Sequence, residues 1–171
     1  YPVAENEGEE DNTYLSYNMV VGNAADSQMA MAFEVLDYAL LSAPGAPLKQ
    51  ALLDVKAGKD VYGSYDDGML QPYFTVIAKG SNPDRKEEFV SVIRQVLGDI
   101  VKNGIDRKAV EAGINYFEFR YREADFSSYP KGLMYSLDIL GDWLYEKGNP
   151  FAQVQQLTVF EKLKKAVNEE Y

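Results

Sequence analysis

Two strand-like runs separated by Asp66-Asp67-Gly68 place the strongest constraint on how this 171-residue chain can fold. Residues 61–65 and 70–78 are rich in β-branched and aromatic residues, and Asp-Gly between such runs is typical of a β-hairpin with a type I′ turn. Pro72 cannot donate a backbone hydrogen bond, so we expect it at the beginning of its strand or at a sheet edge. A hairpin joins antiparallel strands, so the sheet is predicted to be antiparallel.

Alternating and helical patterns elsewhere in the chain predict one further strand and several helices. Residues 14–21 alternate like a strand that buries one face. Helical spacing is found over residues 27–41, 48–55, 83–103, 106–121, 133–144 and 151–170. Because the hairpin strands are adjacent and the helices are segregated from them, we expect an α+β fold, an antiparallel sheet with helices packed on one face.

The apolar stripes of three helices are expected to form most of the core, because their spacing lines one side of a helix. They consist of Phe89, Val92, Ile93, Val96, Leu97, Ile100 and Val101 in the first, Val110, Ile114, Phe117 and Tyr121 in the second, and Leu133, Leu137, Leu140 and Leu144 in the third. Glu118 and Arg122, four residues apart, are expected to form an ion pair on the outside of the second helix.

The beginning of the chain is acidic. We expect residues 1–12 to be a solvated linker ahead of a single α+β domain over residues 13–171. A calcium site is the alternative, but the acidic spacing fits no EF-hand loop. The chain starts without Met and ends in a helical pattern, so we expect a fragment of a longer multi-domain protein. No signal-peptide pattern and no run of about 18 apolar residues is present, which favours a cytoplasmic protein without a membrane span.

Charge and residue usage exclude whole classes of function. The chain has 27 acidic and 17 basic residues and a net charge of -10, whereas nucleic acids and anionic membranes attract basic surfaces. It has no His and no Cys, so the commonest general base, the commonest zinc ligands and the thiol nucleophile are missing. We therefore predict no catalytic residue, no metal site and no cofactor in this chain, and no peptidase activity of the chain alone.

A few residues keep chemical alternatives open. The Asp66-Asp67 pair is interpreted as solvent-exposed turn chemistry, with a functional carboxylate pair as the alternative. Glu123 and Asp125, near a predicted helix end, are interpreted as surface charges, with catalysis as the alternative. Ser127-Ser128 has no histidine base, and only Lys131 offers a Ser–Lys pair.

Three segments resemble a known peptidase family. They are residues 42–53 (SAPGAPLKQALL), 58–68 (GKDVYGSYDDG) and 123–133 (EADFSSYPKGL). The first two resemble the second, non-catalytic domain of the pitrilysin/insulinase zinc metallopeptidases, in the presequence-protease-like branch. The third is similar to bacterial members of the same branch. The resemblance extends over roughly residues 13–150, most of the chain.

This resemblance implies a peptidase of four homologous α+β domains that enclose a chamber, with zinc held by a His-x-x-Glu-His motif in the first domain. The chain would be the second domain, and its partners would be the other domains and unfolded peptide substrates. In the family, a strand of this domain pairs with the N-terminal part of the bound peptide. Carried over to this sequence, that role falls on Gly45, Val61, Tyr62, Gly63, Ser64 and Tyr65. Main-chain pairing of this kind tolerates many peptide sequences.

Several alternatives follow from the same residues. Gly63 either lets a second backbone come close or marks a bulge. Tyr62, Tyr65 and Tyr73 are half-buried core residues or part of a peptide-contacting surface. The isolated chain is expected to expose apolar surface and to form a homodimer. The alternative function is a structural or assembly subunit of the same fold with no proteolytic role, which a degraded zinc motif upstream would indicate.

Overall fold

The structure, a computed structural model, describes residue 8 and residues 10–124, 126–144, 149–152 and 154–170. Its strands are β1 (Thr13–Val20), β2 (Asp60–Asp66) and β3 (Tyr73–Ser81). Its helices are α1 (Ser27–Asp37), α2 (Pro47–Asp54), α3 (Lys86–Asn103), α4 (Arg107–Glu123), α5 (Lys131–Leu144) and α6 (Leu157–Glu170). A π-helical turn, Tyr38–Ser42, extends α1, and a 3₁₀ turn, Pro83–Arg85, precedes α3. None of the helices in these ranges is long and apolar enough to cross a membrane.

The strands form one sheet in the order β1-β3-β2, and both neighbouring pairs are antiparallel. This arrangement confirms the predicted α+β fold. The hairpin between β2 and β3 is also confirmed, but the predicted type I′ turn is wrong. Residues 67–72 connect the strands, and Gly68 does not have the positive φ that such a turn requires. Instead, the Gly68 N–H donates to Asp66 Oδ1 at 2.9 Å, as in an Asx turn.

Helices cover one face of the sheet and build the first hydrophobic core. Each strand sends every second side chain into it, as the alternating pattern predicts. The buried members are Leu15, Val61, Phe74, Val76 and Ala78 from the sheet, with Leu40, Leu41, Leu48, Leu52, Ala57, Phe89 and Ile93 from the segments packed on it. This core fixes α2, α3 and the π-helical turn against the sheet.

Helix α1 is buried on two sides. Asp26 caps its N-terminus by accepting a hydrogen bond from the Met29 N–H at 3.0 Å. The side away from the sheet packs against α4 and α6 and forms a second core. Its buried members are Met31, Val35 and Ala39 of α1, Val110 and Ile114 of α4, and Val159, Phe160 and Leu163 of α6.

The predicted contribution of α5 to the core is wrong. Its stripe is 50% exposed at Leu133, 52% at Leu137, 55% at Leu140 and 71% at Leu144. Periodicity shows that a helix is amphipathic, but it does not show which part of a protein covers the apolar side. Helix α6, whose pattern is weaker, takes the place in the core that α5 was expected to fill.

Two further positions differ from the predicted stripes. Val101, near the end of α3, is 86% exposed and is not part of the core. The ion pair between Glu118 and Arg122 is confirmed at 2.7 Å, but Glu118 is buried. The reason is that α6 packs on this side of α4, where Lys164 also contacts the Glu118 carboxylate, at 2.5 Å.

The predicted linker over residues 1–12 lies mostly outside the described residues, but Asp11 is tied to the domain. Its N–H donates to Asn82 Oδ1 at 2.8 Å, and the Asn82 amide donates back to Asp11 Oδ1 at 2.8 Å. Lys59 forms an ion pair with the same carboxylate at 3.3 Å. These contacts, the Asn82 hydrogen bond first, hold the pKa of Asp11 below its usual value.

The exchange of α6 for α5 in the core can be tested by truncating one residue in each helix. Phe160 is fully buried whereas Leu137 is 52% exposed. We expect Phe160→Ala to lower the free energy of unfolding by about 3–5 kcal/mol, and Leu137→Ala to change it by less than about 0.5 kcal/mol. Chemical denaturation of the two variants measures both values, and equal losses would contradict this packing.

Candidate functional site

The hydrogen-bonding direction of β3 fixes which residues of β2 face outward. Val21 N–H donates to the Pro72 carbonyl at 2.9 Å, so Pro72 directs its carbonyl toward β1. Backbone groups alternate along an antiparallel strand, and the register between β1 and β3 is regular from residue 14 to residue 20. Val76 therefore bonds to β1, and Thr75 bonds to β2.

The same alternation assigns the backbone groups of β2. Ser64 lies opposite Thr75 in a regular register, so its N–H and C=O point inward to β3. Gly63 and Tyr65, on either side of it, point their N–H and C=O away from the sheet. Within the described residues β2 pairs only with β3, so these outward groups lie on an edge that could accept another strand.

The beginning of β2 is less accessible to a further strand. The outward N–H of Val61 donates to the Asp60 carboxylate at 2.8 Å, which agrees with the alternation. Lys49 of α2 forms an ion pair with the same carboxylate at 3.3 Å. The part of the edge with outward groups beside open space is therefore Gly63 to Tyr65.

A groove with a volume of about 440 Å³ runs beside this part of the edge. Its walls are β2 on one side, α4 on the other, and the end of α1 with the π-helical turn between them. It is lined by Glu34, Asp37, Tyr38, Ser42, Gly63, Ser64, Tyr65, Tyr116, Phe117 and Arg120. Residues Gly63 to Tyr65 of the predicted peptide-binding strand therefore lie opposite α4. The sequence patterns gave no indication of this proximity.

Gly63 is required by the packing of α1 on β2. Its pairing with Val76 continues the regular register, so there is no bulge at this position. A Cβ atom on Gly63 would overlap Asp37 Oδ1 and Leu41 Cδ1, and Leu41 is a fully buried core residue. The close approach at Gly63 is thus made by helix side chains on the covered face of the sheet.

Stacked aromatic rings support both walls of the groove. Tyr65 stacks on Phe33 of α1, with ring centroids 5.6 Å apart. Tyr38 stacks on Tyr116 of α4 at 5.2 Å and meets Phe117 edge-on at 6.4 Å. These contacts hold the walls in place through rigid side chains.

The acidic side chains that line the groove, Glu34 and Asp37, are half-buried. Burial first, and then the negative charges of Asp67 and Asp37, raise the pKa of Glu34 to about 7. Burial also raises the pKa of Asp37, whose Oδ1 atom is buried with no hydrogen-bond partner in the described part of the chain. The pKa of Tyr65 is raised to about 12, by burial first and then by the charge of Asp67.

The other predicted site residues lie elsewhere. Val61 has its side chain in the first core, while Tyr62 has its side chain on the opposite, partly exposed face of the sheet. Gly45, with a φ of 73°, lies in the turn before α2 and lines a separate hollow of about 290 Å³. Ser42 lines both this hollow and the groove, so the two adjoin.

Asp66, Glu123 and Lys131, for which catalysis was the alternative interpretation, take part in hydrogen bonds within turns and at a helix end. Asp66 accepts hydrogen bonds from the Gly68 N–H and, at 3.0 Å, from the Tyr73 hydroxyl. Lys131 donates to the backbone carbonyl of Glu123 at 3.1 Å, near the end of α4. Asp125 lies outside the described residues. Within the described ranges no group of three or more Asp or Glu residues could hold a metal ion.

Comparison with known proteins agrees with this architecture. Residues 1–117 match the family described as the Peptidase M16 inactive domain. The chain belongs to this family. The predicted resemblance to a non-catalytic domain of the pitrilysin/insulinase peptidases is therefore confirmed.

Relatives of this M16 inactive domain include bacterial and eukaryotic proteins. The chain is 42% identical over its full length to Protein HypA of Clostridium perfringens, of which it covers 18%. It is 32% identical over 85% of its length to Presequence protease 1 of Arabidopsis thaliana, of which it covers 13%. A mitochondrial presequence protease from Xenopus laevis is 26% identical over 82% of the chain, which covers 14% of it. The chain thus spans less than a fifth of the length of these relatives.

Solved structures share the fold of the M16 inactive domain at low sequence identity. The inactive peptidase domain of a protein named as a zinc protease from Bordetella parapertussis superposes with a TM-score of 0.64 at 12% identity. The match covers 92% of this chain and 79% of that one. A protein with a similar name from Bordetella pertussis superposes with a TM-score of 0.62 at 15% identity, covering 91% and 79%.

The close packing at Gly63 can be tested by substituting alanine there, with the same substitution at Gly98 of α3 as the control. An added Cβ at Gly98 of α3 would meet nothing within 4 Å, unlike one at Gly63. We expect Gly63→Ala to lower the free energy of unfolding by about 1–3 kcal/mol through overpacking. Gly98→Ala should raise it by about 0.5–1 kcal/mol, because alanine favours a helix interior. Thermal unfolding of both variants decides the matter, and an unchanged stability of Gly63→Ala would show that the approach is looser than described.

Proposed function

We propose that this chain is a non-catalytic domain of a longer zinc peptidase, where it helps to enclose the substrate chamber and binds extended peptides. The observation that carries the proposal is the outward edge of β2 at Gly63 and Tyr65 beside the groove. An extended peptide would pair with this edge as an additional strand and lay its side chains along the wall formed by α4. Such pairing uses main-chain groups, so it selects unfolded chains over any one sequence.

The chemistry of the chain supports a binding role over a catalytic one. Zinc is bound in proteins by His, Cys, Asp and Glu side chains, and this chain has neither His nor Cys. Among the described residues no group of three or more carboxylates is placed so that it could hold a metal ion, so they do not fit a zinc ion. In this proposal another domain of the longer protein carries the zinc and the hydrolytic groups. That domain would cleave the peptide that this domain binds.

Relatives support a peptide as the substrate. Two of them carry the name presequence protease, and the chain aligns with each over more than four fifths of its length. On this basis the longer protein would degrade unfolded peptides. A cytoplasmic location for it stays a prediction.

The exposed apolar stripe of α5 supports the chamber-forming part of the proposal. A stripe of four leucines, together with Trp143 at 70% exposure, is the kind of surface that proteins normally cover with another domain or chain. A neighbouring domain of the same peptidase would cover it. The same surface also fits the alternative, a structural or assembly subunit with no proteolytic role, and a homodimer of the isolated chain. An intact His-x-x-Glu-His motif upstream in the gene would favour the peptidase, and a degraded one the alternative.

Peptide pairing can be tested with two variants at one position. Tyr65→Pro and Tyr65→Ala both remove the ring that stacks on Phe33, but only proline also removes the outward N–H. Losing one main-chain hydrogen bond of about 0.5–1.5 kcal/mol should raise the KM of Tyr65→Pro about 2- to 12-fold above that of Tyr65→Ala. The measurement is steady-state cleavage of a long unstructured peptide by the longer protein.

The zinc content of both variants should equal that of the unchanged protein, because the metal lies in another domain. Ser64→Pro is not suitable for this test, since the Ser64 N–H bonds to β3 and its loss would disturb the sheet itself. Equal KM values for Tyr65→Pro and Tyr65→Ala would contradict the pairing of peptide with β2.

A further inference from the structure

A second cavity, here called the acidic cavity, lies next to the groove. It has a volume of about 320 Å³, near the lower end of the range of roughly 300–1,000 Å³ for ligand pockets. It is lined by Ala30, Met31, Glu34, Asp67, Phe117, Arg120, Tyr121, Phe126, Tyr135, Asp138, Gln156 and Phe160. Its walls thus come from α1, the β2–β3 connection, α4, the segment after α4, α5 and α6. A space of this size suits one side chain of a bound peptide.

Carboxylates from three separate elements converge on the acidic cavity. They are Glu34 of α1, Asp67 of the hairpin connection and Asp138 of α5, and Arg120 is the one cationic residue among the described residues of its lining. Burial raises the pKa of Asp138, and the charges of Asp67 and Asp142 raise it further. Asp67 has the same effect on Glu34. Because these carboxylates repel one another, a cation in the cavity would relieve the repulsion.

Aromatic rings form much of the remaining wall. Phe117 and Tyr121 come from α4, Phe160 from α6, and Phe126 and Tyr135 meet edge to face with centroids 5.1 Å apart. Aromatic faces attract guanidinium and ammonium groups, and carboxylates accept their hydrogen bonds. Aromatic walls with converging carboxylates therefore favour a cationic side chain over an apolar or anionic one.

The acidic cavity adjoins the groove at the edge of β2. Glu34, Phe117 and Arg120 line both spaces. A peptide strand paired with Gly63 and Tyr65 would therefore run next to the opening of the cavity. Side chains of a strand point alternately to the two faces of a sheet, so one directed to the helix-covered face could enter the cavity beside Glu34.

We propose that the acidic cavity binds the cationic side chain of an arginine or lysine in the peptide that pairs with β2. This inference rests on the proposed function, to which it adds a preference for peptides with a basic residue near the paired segment. Glu34 and Asp138 would accept hydrogen bonds from the cation, and the aromatic rings would cover its sides.

The test uses the longer protein and two labelled extended peptides that differ at one position, arginine in one and its neutral analogue citrulline in the other. Fluorescence anisotropy gives the Kd of each. We expect the arginine peptide to bind roughly 10-fold more tightly, as a charge-assisted contact implies. Glu34→Gln combined with Asp138→Asn should reduce the ratio below about 3-fold, since it keeps the shape and removes two charges. Equal binding of the two peptides by the unchanged protein would overturn the proposal.

Asp99→Asn provides the matched control, because it removes a negative charge from the exposed surface of α3, outside the cavity. It should leave the arginine preference unchanged, and a loss equal to that of the double variant would attribute the preference to overall charge and overturn the proposal. Tyr65→Pro separates the two hypotheses. It should weaken both peptides relative to Tyr65→Ala while the arginine preference remains. If Tyr65→Pro weakens them but the double variant keeps the arginine preference, the cavity assignment fails and the edge pairing stands.

The pH dependence of peptide binding tests the proposal on the unchanged protein, without any variant. Glu34 has a pKa of about 7 and faces Asp67 from the hairpin connection, Asp37 on its own helix, Arg120 from α4 and Tyr65 from β2. The ionised carboxylate binds the cation, so raising the pH from 6 to 8 should increase the arginine-over-citrulline ratio several-fold. A ratio that stays constant or falls over this range would contradict the role of Glu34.

Discussion

The close approach of the end of α1 to β2 at Gly63 is the contact on which the rest of the architecture depends. Asp37 and Leu41 occupy the space where any larger residue would place its Cβ. This contact sets the π-helical turn directly on the sheet, where Leu40 and Leu41 join the first core. It also leaves the other side of α1 free to pack against α4 and α6, which builds the second core and the far wall of the groove.

Local patterns were sufficient for most elements of the fold. The hairpin, the alternation of β1 and β3, and the long helices α3 and α4 all follow from the spacing of apolar residues over a few turns or strand positions. The prediction of a type I′ turn was wrong because Asp-Gly also occurs in longer connections. In this one the Gly68 N–H donates a hydrogen bond to the Asp66 carboxylate. The placement of α5 and α6 was wrong for a different reason. Which amphipathic helix is covered depends on tertiary packing, which the spacing of apolar residues along one helix does not specify.

The groove was less predictable because its parts are distant in the sequence. The family resemblance pointed to β2, but Tyr116 and Arg120 of α4 lie opposite it only through the packing of α4 on α1. The acidic cavity combines Glu34, Asp67 and Asp138, and each of these is an ordinary surface or turn residue in its local sequence. The direction of each backbone group of β2 follows from the register of all three strands. No pattern within the segment 61–65 specifies it.

Residue-resolved amide hydrogen exchange tests the central claim, that the outer edge of β2 binds an extended peptide, most directly. Without peptide, the outward amides of Gly63 and Tyr65 should exchange much faster than the inward amides of Tyr62 and Ser64. A saturating extended peptide should slow the exchange of Gly63 and Tyr65 and leave the other two nearly unchanged. Equal protection of all four amides without peptide, or no slowing at Gly63 and Tyr65 when the peptide is bound, would contradict the account.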